Sequence, residues 1–312
     1  MKIVFMGTPD YAVSTLEKLI EKGHEVSAVF AQPDKPVGRK HILTPPPVKV
    51  CAQKHNIPVY QPNTLKDGTA FNILKEISPD AIVVVAYGKI LPKEILEIAP
   101  LGCINGHASL LPKYRGSAPI QWAIIKGEKV TGITTMLMDE GIDTGDILEQ
   151  VEVCIGETET AEELFDRLAD ISADLMVSTL EKLKNGQLTP KKQPEENASY
   201  APIIKKEMAL IDFNKTAEEI YNAVRGFYSW PVAYFFLKNK RVKIISCAKG
   251  EKTDKPAGTV IDTKNGLTVA CKNGTSIKLL TVQPEGSKAM TSKQMLCGDQ
   301  VDLGFVIGEN NG

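Results

Sequence analysis

Residues 1–31 read MKIVFMGTPDYAVSTLEKLIEKGHEVSAVFA, and this opening stretch decides the fold class. Residues 2–6 are a β-rich apolar run. Residues 7–10 (GTPD) then supply a turn, a capping threonine, a proline at the first helical position and an acid in the first turn. Apolar residues at helical spacing continue to Gly23, and residues 25–31 form a second β-rich run. Strand, helix and strand in this order predict an α/β domain with a parallel sheet.

The next segments extend the same domain. Residues 81–86 (AIVVVA) are a continuous apolar run, typical of a strand buried on both faces. Further strands are expected at 101–108 and 131–138, with a helix near 118–126. Thr160 and Glu163 form a capping box that opens a long amphipathic helix ending near residue 186. We therefore predict a Rossmann-like domain with a mostly parallel sheet over residues 1–189.

The remainder has a different pattern. Residues 190–208 lose periodicity, carry several prolines and are expected to be a linker. A second capping box, Thr216 to Glu219, begins a short helix. Short β segments follow, with hairpin signals at 264–266 (KNG) and 273–274 (NG). Residues 209–312 are therefore expected to form an OB-like β-barrel, an architecture that often binds nucleic acid.

Composition is that of an ordinary globular protein, with 43% hydrophobic and 24% charged residues. The longest apolar stretch, residues 81–87, is too short to cross a bilayer, and the N-terminus is typical of a strand rather than a secretory signal. A cytoplasmic protein with no membrane partner is expected.

Charge is distributed unevenly along the chain. Residues 201–312 hold 16 Lys and Arg against 11 Asp and Glu, whereas residues 1–200 hold 21 against 27. A basic second domain would suit a polyanionic partner, but a solvated lysine-rich surface has the same composition.

Several classes of site are disfavoured. The first turn lacks G-x-G-x-x-G, and G-x-x-x-x-G-K-[ST] is absent, which argues against a nicotinamide oxidoreductase. The six cysteines and four histidines are not at metal-ligand spacing, so no metal is expected.

Polar residues suited to acyl transfer concentrate in two stretches, residues 105–112 (NGHASLLP) and 139–145 (DEGIDTG). Residues two apart in a strand point to the same side, so Asn105 and His107 should project together from the carboxyl end of a strand. A loop between two later strands could bring Asp143 to the histidine. Amide and imidazolium donors can stabilise the oxyanion of acyl transfer to an amine, and the histidine can carry the proton. Alone, however, Asn-x-His more often marks a structural histidine beside a turn.

A set of further motifs makes the reading specific. They are GTPDYA at 7–12, QPDKPVGR at 32–39, AYGKILP at 86–92, SLLP at 109–112, YRG at 114–116, DEGIDTG at 139–145 and RGFYSWP at 225–231. With these motifs in this order, the chain resembles the methionyl-tRNA formyltransferase family over essentially its full length. The resemblance implies transfer of a formyl group from 10-formyltetrahydrofolate to the amino group of initiator methionyl-tRNA. It implies no metal and no obligate protein partner.

The resemblance also implies residue roles. Asn105, His107 and Asp143 match the family's catalytic residues. The folate-binding stretch and pterin-pocket loop correspond to Ser109, Leu110, Leu111, Pro112, Tyr87, Gly88 and Leu91. The loop that meets the tRNA acceptor end corresponds to residues 32–47, with Lys35, Arg39 and Lys40. This loop is also unusually long and basic for a connection in an α/β domain, which by itself favours a functional segment.

Gly106 is a departure, because the family usually has a bulky apolar residue between the asparagine and the histidine. A glycine inside a strand costs roughly 0.5–1 kcal/mol and is expected to loosen it.

Other functions remain as alternatives. A sugar-nucleotide N-formyltransferase would share the fold, the folate and residues 111–116; the basic 32–47 loop favours tRNA over it. A glycinamide ribonucleotide transformylase resembles only the first domain. A non-catalytic nucleic-acid-binding protein would not need Asn105, His107 and Asp143 together.

Overall fold

The structure is a computed structural model that describes residues 1–38, 41–298 and 301–307. The chain divides into two compact units. The first unit comprises Met1–Pro119, Val130–Cys154 and Phe165–Ala201, and the second comprises Ile120–Lys129, Ile155–Leu164 and the chain from Pro202 onwards.

The first unit is built on a seven-stranded sheet in the order β5-β2-β1-β6-β7-β8-β9. Its strands are β1 (Lys2–Gly7), β2 (Glu25–Phe30), β5 (Val59–Tyr60), β6 (Ala81–Val85), β7 (Cys103–His107), β8 (Val130–Leu137) and β9 (Ile147–Cys154); a separate hairpin contains β3 (Lys35–Val37) and β4 (Ile42–Thr44). All pairs from β5 to β7 are parallel, whereas β7-β8 and β8-β9 are antiparallel. The mostly parallel sheet predicted from the sequence is confirmed.

The helices are α1 (Asp10–Glu21), α2 (Pro47–Lys54), α3 (Thr69–Ile77), α4 (Lys93–Leu96), α5 (Pro119–Ile125), α6 (Ala161–Lys184), α7 (Ala217–Gly226) and α8 (Ser292–Gly298). The capping box before α6 has the expected hydrogen bonds, from Thr160 N–H to Glu163 and from Glu163 N–H to the Thr160 hydroxyl. The second box, Thr216 with Glu219, caps α7 in the same way.

The sheet core explains the continuous apolar run of β6. Val4, Met6, Ile82 and Val84 belong to one buried cluster with residues of α3 and α4. The alternate residues of β6 point to the opposite face, where Val85 lies near α6 beside Gly106. Because both faces are covered, an alternating polar position would be buried without a partner.

The parallel strands change winding direction between β1 and β6. The chain leaves β1 for β2 on one side and leaves β6 for β7 on the other. In open α/β sheets, ligands bind beyond the carboxyl ends of the strands at such a switch point. The segments in that position here are residues 7–8, 86–88 and the end of β7.

The second unit contains a six-stranded antiparallel sheet in the order β10-β11-β14-β13-β12, with β15 beside β14. The strands are β10 (Tyr234–Leu237), β11 (Lys240–Lys249), β12 (Val260–Asp262), β13 (Leu267–Cys271), β14 (Thr275–Pro284) and β15 (Met290–Thr291). The predicted turns fall between β12 and β13 and between β13 and β14. At the second turn Asn273 and Gly274 have φ of 59° and 67°, the conformation that favours Asn-Gly.

The segment expected to be a linker makes ordered contacts within the first unit. Lys191 forms a β-bridge with Ile147, and Tyr200 forms one with Arg115. Over the described residues, no helix is long and apolar enough to span a membrane.

Candidate active site

Strand β7 presents Asn105 and His107 on one side at its carboxyl end. Asn105 is half-buried, and the His107 side chain is 7% exposed. Asn105 pairs across the sheet with Met136 and His107 with Thr134, so both backbones are held by β8. The side chains are therefore anchored by regular sheet structure, which fixes them more firmly than a free loop would.

Asp143 lies on the loop between β8 and β9. Within this loop one carboxylate oxygen of Asp139 accepts hydrogen bonds from Gly141 N–H (3.0 Å) and the Thr144 hydroxyl (2.6 Å). Asp143 has a φ of 55°, a left-handed conformation that Gly, Asn and Asp adopt more readily than other residues but that still costs free energy in Asp. Gly145 is needed for packing, because a Cβ there would fall 1.7 Å from the Leu137 carbonyl oxygen.

The three predicted catalytic residues converge. Asn105 Nδ2 lies 3.4 Å from Asp143 Oδ1, and His107 Nδ1 lies 3.6 Å from Asp143 Oδ2. The first distance is a long hydrogen bond and the second is an ion-pair distance when the ring is protonated. The backbone N–H of Gly116 donates to Asp143 Oδ2 at 2.8 Å, so this carboxylate is fixed by a short bond to the main chain.

The remaining ring nitrogen of the histidine has a fixed partner. His107 Nε2 lies 2.9 Å from the Tyr114 carbonyl oxygen, which can only accept. This contact assigns the proton of the neutral ring to Nε2. Nδ1 is then the basic nitrogen, and it faces Asp143.

Gly106, between these two residues, faces the opposite side of the sheet. It is buried, and a Cβ at this position would lie 2.9 Å from Ser172 Oγ and 3.5 Å from Met176 Cε, both on α6. The glycine therefore allows α6 to pack close to β7. Strand β7 keeps regular pairing at this point, with Gly106 opposite Thr135, so the expected loosening is not visible in its register.

The 109–112 stretch is held by residues that the sequence analysis did not single out. The hydroxyl of the fully buried Thr134 donates to Ser109 O (2.6 Å) and accepts from Leu111 N–H (3.0 Å). Gln150 donates to Leu111 O (2.9 Å) and to the same hydroxyl. Ser109 is buried and donates to Lys113 O (2.6 Å), so its hydroxyl serves the turn. A Thr and a Gln within apolar strands are the only sequence signal for this support.

The predicted pterin-pocket residues follow β6 at the switch point. Val84 pairs with Asn105, so residues 86–88 lie next to the catalytic candidates. Tyr87 and Leu91 are 2% and 3% exposed, and both side chains belong to the sheet core. What this loop offers a ligand is therefore mainly backbone around Gly88, whose φ of 79° suits glycine.

Two polar side chains fix the same loop from neighbouring strands. The Thr8 hydroxyl and Gln32 Nε2 both donate to the Tyr87 carbonyl, at 3.0 and 3.1 Å. They join the carboxyl ends of β1 and β2 to that of β6. Thr8 was not predicted as functional, and Gln32 was predicted only as part of the 32–47 loop, so the support that both give to the 86–88 loop was not foreseen.

The basic loop of residues 32–47 forms the β3-β4 hairpin. Lys35 is exposed on β3, whereas Arg39 and Lys40 lie outside the described residues. At the base, Lys49 Nζ bonds Asp34 (2.8 Å) and Gln61 (2.8 Å), and Gln61 also donates to Asp34. Hydrogen bonds from Lys49 and Gln61 lower the pKa of Asp34, which keeps this anchor charged and paired.

Lys89 is a further basic residue near the hairpin. Desolvation, and secondarily repulsion from Lys35, lower the pKa of Lys89. Its ammonium donates to the carbonyls of Pro62 and Asn63, which holds it in place. Lys35 and Lys89 thus repel each other, and a bound polyanion would offset this repulsion.

Metal-ligating side chains do not cluster anywhere in the described ranges, 1–38, 41–298 and 301–307.

Comparison with known proteins identifies the family to which the chain belongs. Residues 1–180 match the formyl transferase family model, and residues 203–300 match the model of the formyl transferase C-terminal domain. The chain is therefore a formyl transferase, with both domains of that family.

Full-length relatives show which formyl transferase family the chain belongs to. A methionyl-tRNA formyltransferase of Thermodesulfovibrio yellowstonii is 48% identical over 303 residues, covering 97% of each chain. The chain belongs to the methionyl-tRNA formyltransferase family.

Solved structures share the fold. A methionyl-tRNA formyltransferase from Clostridium thermocellum is 26% identical, with a TM-score of 0.56 over 82% of this chain and 95% of that one. An N-formyltransferase from Helicobacter canadensis, in complex with folinic acid and dTDP-3-aminofucose, is 22% identical, with a TM-score of 0.68 over 89% and 98%. The second likeness shows the fold alone.

The contact between Gly106 and α6 gives a prediction for stability. Gly106→Ala should lower the free energy of unfolding by about 1 kcal/mol more in the native background than in a Ser172→Ala background. The reason is that the added Cβ meets Ser172 Oγ only when Ser172 is present. Urea unfolding of the native and Ser172→Ala proteins, each with and without Gly106→Ala, measures this coupling energy. Ser178→Ala, further along α6, is the control. Equal effects of Gly106→Ala in all three backgrounds would contradict the close packing.

Proposed function

We propose that this enzyme transfers the formyl group of 10-formyltetrahydrofolate to the free amino group of methionyl-initiator tRNA, giving formylmethionyl-tRNA for translation initiation. The observation that supports it most is the convergence of Asn105, His107 and Asp143 at the carboxyl end of β7. This site belongs to a chain whose full-length relatives are methionyl-tRNA formyltransferases.

The proposed chemistry assigns a separate task to each side chain. Asn105 Nδ2–H donates to the formyl oxygen as negative charge develops on it, and one such preorganised donor is typically worth ~2.7–4 kcal/mol. His107 Nδ1 accepts the proton that the attacking amine loses as its nitrogen bonds to the formyl carbon. The ring then returns that proton to the leaving nitrogen as the old carbon–nitrogen bond breaks. Atoms and charge balance without a covalent enzyme intermediate.

Asp143 supports the protonated state of the ring. With Nε2 bonded to the Tyr114 carbonyl, a second proton can only enter at Nδ1, which faces Asp143 Oδ2 at 3.6 Å. The carboxylate stabilises the imidazolium while the ring holds the transferred proton. Because Gly116 N–H also binds this oxygen, the carboxylate does not need to move during the step.

The formyl donor fits the switch-point side of this site. A flat heteroaromatic ring with amide-like edges needs backbone donors and acceptors. The loop around Gly88 offers exposed backbone, and a Cβ at Gly88 would lie 3.6 Å from Gln32 Nε2. Ser109, Leu110, Leu111 and Pro112, fixed by Thr134 and Gln150, would line the other side. The bound donor supplies the activated formyl group.

The nucleic-acid substrate would be met by the β3-β4 hairpin. Among the described residues, Lys35 on the hairpin and Lys89 near it are positively charged. Arg39 and Lys40 belong to the same loop in sequence. Phosphate contacts of this kind supply affinity without sequence readout. The lysine-rich sheet of the second unit would bind the tRNA body in the same way.

The direct test offers labelled 10-formyltetrahydrofolate with methionyl-tRNA, a UDP-amino sugar or glycinamide ribonucleotide. We expect label only in methionyl-tRNA. Transfer only to the sugar would establish the sugar-nucleotide enzyme, which shares the fold.

His107→Ala should lower kcat by about 10²-fold or more while binding of a folate analogue stays within a factor of two, because the ring moves protons and does not hold the donor. Single-turnover transfer and fluorescence titration measure the two quantities. Near-normal turnover of this variant would make the catalytic assignment wrong.

Lys35→Ala should raise KM for methionyl-tRNA several-fold and flatten its salt dependence by about one unit of the log–log slope, with KM for the formyl donor unchanged. Arg39→Ala should act in the same direction. The control is Lys22→Ala, an exposed lysine beyond the end of α1. Equal effects on both substrates would count against the hairpin as a tRNA contact.

A further inference from the structure

Arg115 has no role in the chemistry above, yet it is among the most buried side chains of the first unit. It belongs to the YRG motif and is 1% exposed. Its Nε donates to Gln193 Oε1 (3.0 Å) and its Nη1 to both carboxylate oxygens of Glu195 (3.0 and 2.9 Å). A fully buried guanidinium requires such partners, because an unpaired buried charge is strongly destabilising.

Gln193 connects this arginine to the loop that carries Asp143. Its single Nε2 donates to the carbonyl oxygens of Asp143 (2.8 Å) and Gly145 (2.7 Å). One amide group thus accepts from Arg115 on one side and holds two peptide carbonyls of the catalytic loop on the other.

The backbone around Arg115 is tied to the same downstream segment. Arg115 N–H donates to Ser199 O (2.8 Å), Ala201 N–H donates to Arg115 O (2.7 Å) and Tyr114 N–H donates to the Ser199 hydroxyl (2.9 Å). A Cβ on Gly116 would lie 2.8 Å from Ala201 O, so the glycine permits this close approach. The segment 191–201 therefore packs along residues 114–117 by main-chain bonds.

We propose that Gln193, with Arg115, is a positioning residue of the formyl transfer site. The inference rests on the proposed function and extends it: the segment 191–201 completes the catalytic apparatus by holding Asp143. Gly116 N–H holds the carboxylate of Asp143, and Gln193 holds its backbone carbonyl. Both depend on the 114–117 segment and the 191–201 segment staying together.

The loop needs this external support. It contains Gly141 and Gly145, and Asp143 itself is in the left-handed region. Flexible residues and an unfavourable φ mean that local sequence alone does not hold the carboxylate in place. A displacement of about 1 Å at a reacting group can cost 10²-fold in rate, so the two hydrogen bonds from Gln193 matter for turnover.

Gln193→Glu separates positioning from packing. The new carboxylate keeps the acceptor for Arg115 Nε but cannot donate to the carbonyls of Asp143 and Gly145. We expect kcat to fall about tenfold or more, with KM for both substrates within a factor of two and an unchanged unfolding midpoint. Gln193→Met keeps the length of the side chain without any amide and should give the same fall. Gln187→Glu, the same change at an exposed glutamine, is the matched control.

A second measurement does not depend on activity. The Gly116 amide proton is bonded to the Asp143 carboxylate, so its hydrogen exchange, followed by NMR, reports whether that carboxylate is in place. Exchange should accelerate about tenfold in Gln193→Glu and Gln193→Met and stay at the native rate in Gln187→Glu.

The outcomes are distinct. Native kcat in both Gln193 variants, or reduced kcat with native Gly116 exchange, would overturn the positioning role. Equal losses in Gln187→Glu would overturn it as well. If the unaltered enzyme formylated none of the three acceptors, the proposed function would fail, and Gly116 exchange would still decide whether Gln193 holds the loop.

Discussion

The carboxylate of Asp143 is the group on which the site depends. It faces an amide and an imidazole from β7 and is fixed by a peptide N–H from Gly116. A carboxylate that is only 15% exposed needs hydrogen-bond donors in place of water, and these donors also decide where it points. The Asn105 and His107 distances, 3.4 and 3.6 Å, are longer than the 2.8 Å bond to Gly116. The main chain therefore sets the position of the carboxylate, and the two side chains stay available to a substrate.

The position of Asp143 beside Asn105 and His107 depends on the antiparallel strands at the edge of the sheet. Strand β8 runs back along β7, with Leu137 opposite Ile104, so the loop that follows β8 begins beside the amino end of β7. From there the loop brings Asp143 back to the side chains of Asn105 and His107. The same two strands supply Thr134 and Gln150, which hold the 109–112 turn. One pair of antiparallel strands added to a parallel sheet thus carries the Asp143 loop and the side chains that hold the neighbouring turn.

The sequence predicted the local features well and the long-range ones poorly, for a physical reason. Capping boxes, Asn-Gly turns and the apolar run of β6 are set by neighbours in the chain, and each appears where it was expected. Alternation in a strand was also enough to place Asn105 and His107 together. Thr134, Gln150 and Gln193 bond to partners between 16 and 78 residues away, and nothing in a single sequence marks such pairs. Gly106 was expected to loosen β7; the close approach of α6 gives it a packing reason that the strand pattern could not reveal.

Residues 190–208 were expected to be a linker, and most of them lie between the two family-model matches, 1–180 and 203–300. Their prolines and lack of periodicity predicted a segment without a long regular element, but not where its hydrogen bonds go. Every backbone N–H and C=O near a protein surface needs either water or a partner. Here those of Lys191 are bonded to Ile147, those of Ser199 to Pro112 and Arg115, and those of Ala201 to residues 115, 117 and 118 of the first unit. In this aperiodic segment, Gln193 supplies an acceptor to the buried Arg115 and donates to the backbone carbonyl of Asp143, so releasing the segment would remove both contacts. The charge of that arginine therefore links the integrity of the connecting segment to the position of the aspartate.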